Sequence, residues 1–194
     1  MAVDSITGTA LQVNVAIAAQ KNRTGTDYSP TSNNSSFAKK LAFVLGGNLA
    51  LGINEIYSTI STPGASSSTS IDLTSVTDVI GQTAINFARV KCILIRLLSA
   101  TDDATNGTAA SSITIDNTVS NALSAQSHSG WFSNSSEGAA NGSKFDIPNG
   151  GFMVFGTPAA GGVVVDGTHK VIKITNNDGG VAAAVQVTVF GSDT

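Results

Sequence analysis

Proton exchange, nucleophilic attack and metal binding near neutral pH would fall in this 194-residue chain to two histidines, one cysteine and thirteen carboxylates. His128 lies in Gln126-Ser127-His128-Ser129, where a serine beside an imidazole suggests a nucleophile and its base. No G-x-S-x-G elbow exists to present such a serine, however. His169 sits in a turn before Val171. Both are expected to be solvated loop histidines without a role in function.

Metal and phosphate chemistry fare no better. Two isolated histidines and Cys92 fall short of the three or four ligands that zinc requires. Asp102-Asp103-Ala104-Thr105-Asn106-Gly107 has the acid, Asn and Gly of a calcium loop, but Ala104 and Ile113 occupy positions where ligand oxygens belong. A solvated turn explains it better. The glycine pairs beginning at 46, 150, 161 and 179 are not followed by Lys-Ser/Thr and open no helix, so they cradle no phosphate. No cofactor and no catalytic residue is expected. Trp131 beside Phe132 reads first as a core anchor, because only 6% of residues are aromatic, and second as a surface aromatic contact for a sugar or partner.

Composition narrows the partners. Ten Lys and Arg against thirteen Asp and Glu leave no excess of positive charge for nucleic acid. At 41% hydrophobic and 12% charged, with about 60 Ser, Thr and Asn, the chain is built to fold, not to stay disordered. Cys92, in the apolar run Val90 to Ile95, reads as a small buried hydrophobe of a protein made in a reducing compartment. The N-terminus Met1-Ala2-Val3-Asp4 lacks the basic start and apolar core of a signal peptide. The longest apolar stretch, Leu41 to Ile53, is interrupted by Gly46, Gly47, Asn48 and Gly52, so no membrane span is expected.

The elements that would position these residues are strands. Leu11, Val13, Val15 and Ile17 alternate with small or polar residues, the period of a strand with one apolar face. The polar tract Lys21 to Ser36 reads as a linker, making residues 1–36 an N-terminal arm and 37–194 the main domain. Further strands are expected at Lys40–Leu45, Ile53–Ile60, Ser70–Leu73, Ser112–Ile115, Gly130–Phe132, Lys144–Ile147, Phe152–Phe155, Val163–Val165, Lys170–Thr175 and Val181–Phe190. Ile85–Leu97 should be a central strand, with Val90, Cys92 and Leu94 or their neighbours Ile93 and Ile95 buried, so that aspartate at either Ile93 or Leu94 should reduce soluble yield. Asn149-Gly150 and Asp178-Gly179 mark tight hairpin turns. Phe37, Leu41, Val44 and Leu45 form a competing helical face, cut short by Gly46 and Gly47. The expected fold is all-β, a β-sandwich of jelly-roll type with an extended N-terminal arm.

The segment Ile71-Asp72-Leu73-Thr74-Ser75-Val76-Thr77-Asp78-Val79-Ile80-Gly81, with Ile85-Asn86-Phe87-Ala88-Arg89-Val90-Lys91, resembles small virion structural proteins of tailed bacteriophages. So do Pro148-Asn149-Gly150-Gly151-Phe152-Met153-Val154-Phe155, a loop at Pro158, Ile172-Lys173-Ile174-Thr175-Asn176, and Val185-Gln186-Val187-Thr188-Val189-Phe190-Gly191. The resemblance covers roughly residues 41 to 191, and departs from the family pattern in the longer insert Ala125 to Ser143. It implies a non-enzymatic virion protein, a homo-oligomeric capsid decoration or cement protein on the outer head surface. Its partners would be itself and the major capsid or other virion proteins, and it would be made in the host cytoplasm. A tail tube, spike or fibre component is the alternative within that class, and a carbohydrate-binding sandwich module the alternative outside it. A hydrolase rests on His128 alone. In the virion reading, the arm strand with Leu11, Val13, Val15 and Ile17 pairs with a neighbouring subunit's sheet edge and so mediates subunit or capsid attachment.

Overall fold

The computed structural model describes residues 53–77, 84–101, 103–116, 122–123, 144–156 and 162–193, together with the backbone path of 11–22 and 32–43. Its strands are β1 (Leu11–Asn22), β2 (Ser32–Phe43), β3 (Glu55–Ser61), β4 (Ser68–Asp72), β5 (Val76–Thr77), β6 (Ala84–Ile85), β7 (Arg89–Leu97), β8 (Ser112–Asp116), β9 (Lys144–Pro148), β10 (Phe152–Gly156), β11 (Val163–Val164), β12 (Val171–Asn176) and β13 (Val185–Ser192). The described residues are all-β, with antiparallel ladders between the named strands and no helix.

Two sheets carry the structure. In the first the order is β10-β7-β13-β3, with β11 pairing the start of β7 beside β10; in the second it is β4-β12-β8-β9. β7 is central, as its apolar run requires, because a strand flanked on both sides has no edge to solvate. Alternation decides which side chains turn inward. Val185, Val187 and Val189 of β13 and Ile172 and Ile174 of β12 are buried, while the intervening residues are half-buried. They meet Ile93, Ile95 and Leu97 of β7 and Ile113, Ile115 and Ile147 of β8 and β9 in one hydrophobic cluster shared by both sheets. Each such side chain contributes about 1.5–3 kcal/mol on leaving water.

The turn chemistry is as expected but the pairing is not. Pro148-Asn149-Gly150-Gly151 turns tightly, with Gly150 at φ 72° and Gly151 N–H donating to Pro148 O at 2.8 Å. It joins β9 to β10, which lie in different sheets, so it is a corner and not a hairpin. The Asn176–Gly180 turn likewise carries the chain from β12 in one sheet to β13 in the other. Asn176 anchors that corner: its buried amide Nδ2 donates to Gly64 O at 3.0 Å and Val181 O at 2.8 Å, and its Oδ1 accepts from Asp178 N–H at 3.0 Å.

Three further differences bear on the sequence reading. Ile85–Leu97 is two strands, because the chain turns through residues 86–88 between β6 and β7. Leu94 is half-buried and not a core residue, since it alternates with Ile93 and Ile95. The tract Lys21–Ser36 is not a continuous linker: β1 runs through Asn22 and β2 begins at Ser32, twelve residues pairing with twelve from Leu11 opposite Phe43 to Asn22 opposite Ser32. Ladder hydrogen bonds hold Ser and Asn in a strand that their propensity alone would not form. β2 also takes Phe37 and Leu41 out of the competing helix.

Candidate functional site

The residues that alternate with the core on the first sheet form its outer face. The ladders align them in three rows: Phe152, Arg96, Gln186 and Ile60; then Val154, Leu94, Thr188 and Ser58; then Gly156, Cys92, Phe190 and Ile56. Phe152 is 63% exposed and Ile60 42% exposed, and Ile56, Leu94, Val154 and Phe190 are half-buried. Arg96 is the only ionised side chain among these rows. Phe152, Val154, Leu94, Phe190 and Ile56 are neighbours across this face, whereas Ile60 is set apart from Phe152 by Arg96 and Gln186. Neighbouring apolar groups on an outer sheet face mark an interaction surface better than scattered exposed aliphatics do. Cys92 is part of this face but fully buried, and burial pushes its thiol up to about 11. At that value it is a protonated, inert thiol.

The outer face of the second sheet is of the opposite kind. Ser70, Lys173, Asp116 and Lys144 stand in one row and Ser68, Thr175, Thr114 and Asp146 in the next. Ser68 and Thr175 hydroxyls bond at 3.0 Å, Thr114 donates to Asp146, and Asn177 Nδ2 donates to Thr114 at 2.9 Å and to Ser112 at 3.0 Å. These polar groups are already paired with one another.

Between the edge strands β3 and β4 runs a groove of about 490 Å³, lined by Tyr57, Thr59, Ser61, Thr69, Asp72 and Thr77 among others. Asp72 Oδ2 accepts from Lys170 Nζ at 2.6 Å, and Oδ1 accepts from the Thr74 hydroxyl at 2.6 Å and its N–H at 3.0 Å. The lysine first, then these threonine bonds, hold the carboxyl down at about 2.

The sequence-derived candidates fall as follows. His169 Nδ1 lies 3.0 Å from Asp166 Oδ1 and 3.0 Å from Thr168 Oγ1, inside a turn in which Asp166 and His169 also bond through their backbones. The Thr168 N–H, then His169, hold Asp166 at about 2. Asp103 accepts from the N–H groups of Thr105 and Asn106 at 3.0 and 2.9 Å, so its carboxylate closes its own turn. Among the described residues no group of three or more His, Cys, Asp and Glu is placed to hold a metal. His128, Trp131, Asp102 and the 125–143 insert lie outside the described residues. Leu11, Val13, Val15 and Ile17 lie on β1 at register positions opposite Phe43, Leu41, Lys39 and Phe37. Their strand partner belongs to the same chain.

Sequence reasoning missed two features. Lys91 is 1% exposed at the bulge where Phe190 pairs with Cys92 but Gly191 pairs with Val90, and burial, then Arg89, lowers its pKa. Gly191 is required there, since a Cβ would fall 2.1 Å from Arg89 O. The apolar outer face was the other omission, although Arg96, Gln186 and Thr188 mark its parity.

Comparison with protein-family models, curated proteins and solved structures found no match.

Proposed function

We propose that this chain is a non-enzymatic structural protein of a bacteriophage virion, an oligomeric decoration or cement protein of the outer head surface. The observation that carries the reading is the contrast between an apolar outer sheet face and a self-paired polar one, which suits a subunit that packs one side against protein and turns the other to water. The sequence resemblance to small virion proteins of tailed phages supports it.

Strand order adds a second support. Along the chain β3, β7, β10 and β13 fall in one sheet and β4, β8, β9 and β12 in the other, with the connections β3–β4, β7–β8, β9–β10 and β12–β13 changing sheets. This order supports reading the two sheets as a jelly roll, an architecture used by viral capsid and lectin domains. The test is to purify particles and measure the copy number of this chain by quantitative mass spectrometry. A number close to that of the major capsid protein supports the decoration role; a handful per particle favours a tail component, and absence from particles overturns the reading.

The groove between β3 and β4 favours one other reading, a carbohydrate-binding module. Its hydroxyls, the Tyr57 ring and the ionised Asp72 are groups that bind sugars, and a jelly-roll arrangement would be one shared with lectins. A glycan array with specific binding that is lost in Tyr57→Ala would support it over the virion role.

A further inference from the structure

Four strands end the two sheets, and they are not equally guarded. β9 begins with the exposed Lys144 and ends at Pro148, and β4 ends at Asp72, which is ion-paired to Lys170 at 2.6 Å. Charge and proline on an edge keep other strands from pairing with it. β3 has seven residues where β4, β9 and β10 have five each, and it holds no Lys, Arg or Pro. Among the described residues only β13 pairs with it. The groove of about 490 Å³ runs along its other side, so that edge is accessible. A strand in that state presents a row of backbone N–H and C=O groups to any second strand.

We infer that β3 pairs antiparallel with β3 of a second copy of the chain, across a two-fold axis at Ser58, so that the two first sheets become one continuous sheet. The sequence of β3, Glu-Ile-Tyr-Ser-Thr-Ile-Ser, selects this occupant because its pattern matches its own reverse. A two-fold interface brings the same patch of both copies together and so must be self-complementary. Directly opposed residues share a face. Ile56, Ser58 and Ile60 lie on the outer face, and Tyr57 and Thr59 alternate with them and line the groove. Centred on Ser58, the pairing sets Ile56 opposite the partner's Ile60. Ile60, 42% exposed and set apart from Phe152 by Arg96 and Gln186, thereby gains an aliphatic neighbour. Tyr57 meets the partner's Thr59, an aromatic and β-branched pair of the kind that stabilises ladders. Glu55, the only charge on β3, falls opposite the partner's Ser61, so no like charges meet. The other uncharged edge, β10, lacks this match: centred on Val154 it would set Phe152 opposite Gly156, which has no side chain to pack against. Pairing through β3 leaves the outer sheet face open to other proteins.

The inference deepens the oligomeric role proposed above, and rests on it for the expectation that copies associate. Its readout needs no particles. Native mass spectrometry of the full chain at micromolar concentration should show two copies together. Ser58, whose hydroxyl bonds that of Thr188 at 3.0 Å, is the residue that meets itself. Ser58→Lys and Ser58→Glu should each keep the circular dichroism spectrum of the parent and weaken self-association at least about tenfold, because like charges then oppose each other. An equimolar mixture of the two should restore a pair containing one of each. No restoration in the mixture, or an undiminished pair in either variant alone, overturns the inference, as does a parent that runs as a single chain. Ile60→Lys, at an exposed position, should also weaken the pair about tenfold and decides the question if a Ser58 variant misfolds. A pair that survives it undiminished overturns the inference. Pairs formed by a chain that is absent from particles would fail the virion reading and leave this one standing, and a chain abundant in particles but single in solution would do the reverse.

Discussion

The two outer faces of the molecule are built on the same backbone scheme and differ in what alternates with the core. On β7, β10 and β3 the outward positions include Leu94, Val154, Phe152, Ile56 and Ile60; on β12, β8 and β9 they include Lys173, Thr114, Asp146 and Lys144. Inward, both sheets present Ile and Val to one cluster. Core burial therefore explains half of each strand and says nothing about the other half. An apolar outward set costs solubility in an isolated subunit and is retained where another surface covers it. A polar outward set whose hydroxyls and amides already bond one another has little to gain from a partner.

The largest test of this contrast uses adjacent residues of one strand. Ile93 is fully buried between the sheets and Leu94 is half-buried on the outer face. Ile93→Asp places a carboxylate in the shared core and should cost at least about 4 kcal/mol, leaving little soluble protein. Leu94→Asp should remain soluble and folded, with its effect read in solution mass. Equal loss of yield from both would erase the distinction between core and outer face.

That pair also shows how far sequence reading reaches. Alternation placed β1 close to where it lies, because period two is written directly in residue type, and short runs bounded by turn residues placed β3, β4, β8, β9, β10 and β12. Alternation failed in Val90–Ile95, where both parities are apolar from Cys92 onward and the one polar residue, Lys91, is buried and so does not mark the outward side. Turn chemistry located Asn149-Gly150 and Asp178-Gly179 but not their meaning, since a tight turn has the same local requirements at a hairpin and at a corner between sheets. Sheet order rests on contacts distant in sequence, such as Val187 opposite Ile95, which no local pattern encodes. β2 was legible only from Lys40, because Ser32 to Ser36 become a strand through the ladder partner and not through their own preference. The candidate surface was hidden for the first of these reasons. Its residues were all seen, as members of strands, before their side of the sheet was known.

A second, smaller effect lies at the corner that joins the unlike sheets. Asn176 occupies the inward position after Ile172 and Ile174 on β12, where its amide replaces a core aliphatic. Asn176→Ala strands the carbonyls of Gly64 and Val181 and the Asp178 N–H together, and should cost about 2–4 kcal/mol in urea unfolding. Solution mass, by contrast, should stay as in the parent wherever the variant is folded. A change in mass without loss of stability would assign this corner to an interface.

Acid should act on the carboxylates that close loops and grooves more than on the apolar face. Asp72 and Asp166 are both held at about 2, below the ordinary 3.8. A depressed folded pKa gives stability that is complete above the unfolded value and lost as pH falls through the folded one. Stability should therefore decline from about pH 4 towards pH 2, and Asp72→Asn should flatten part of that decline. Asp72 is 36% exposed, so water screens the ion pair and its share is modest. A stability profile that Asp72→Asn leaves unchanged between pH 4 and 2 would remove the Lys170 pair from the account.

The smallest expected effect belongs to the polar face. Lys144 is exposed on the edge strand β9, in the row Ser70, Lys173, Asp116, Lys144. Replacing it by Ala removes one exposed positive charge from the edge of the sheet. An exposed charge of this kind contributes little, because solvent already satisfies it. The melting temperature should move by less than about 2 °C. Lys144→Leu is the sharper variant. It adds one apolar side chain to a face whose neighbours are charged, and a single leucine there has no apolar partners with which to make a contiguous patch. The solution mass of Lys144→Leu should equal the parent's, while Phe152→Glu, a comparable change in polarity on the other sheet, should lower any association of the chain. If Lys144→Leu raises the mass, association follows net apolar area wherever it is placed, and the difference between the two faces would lose its role in assembly.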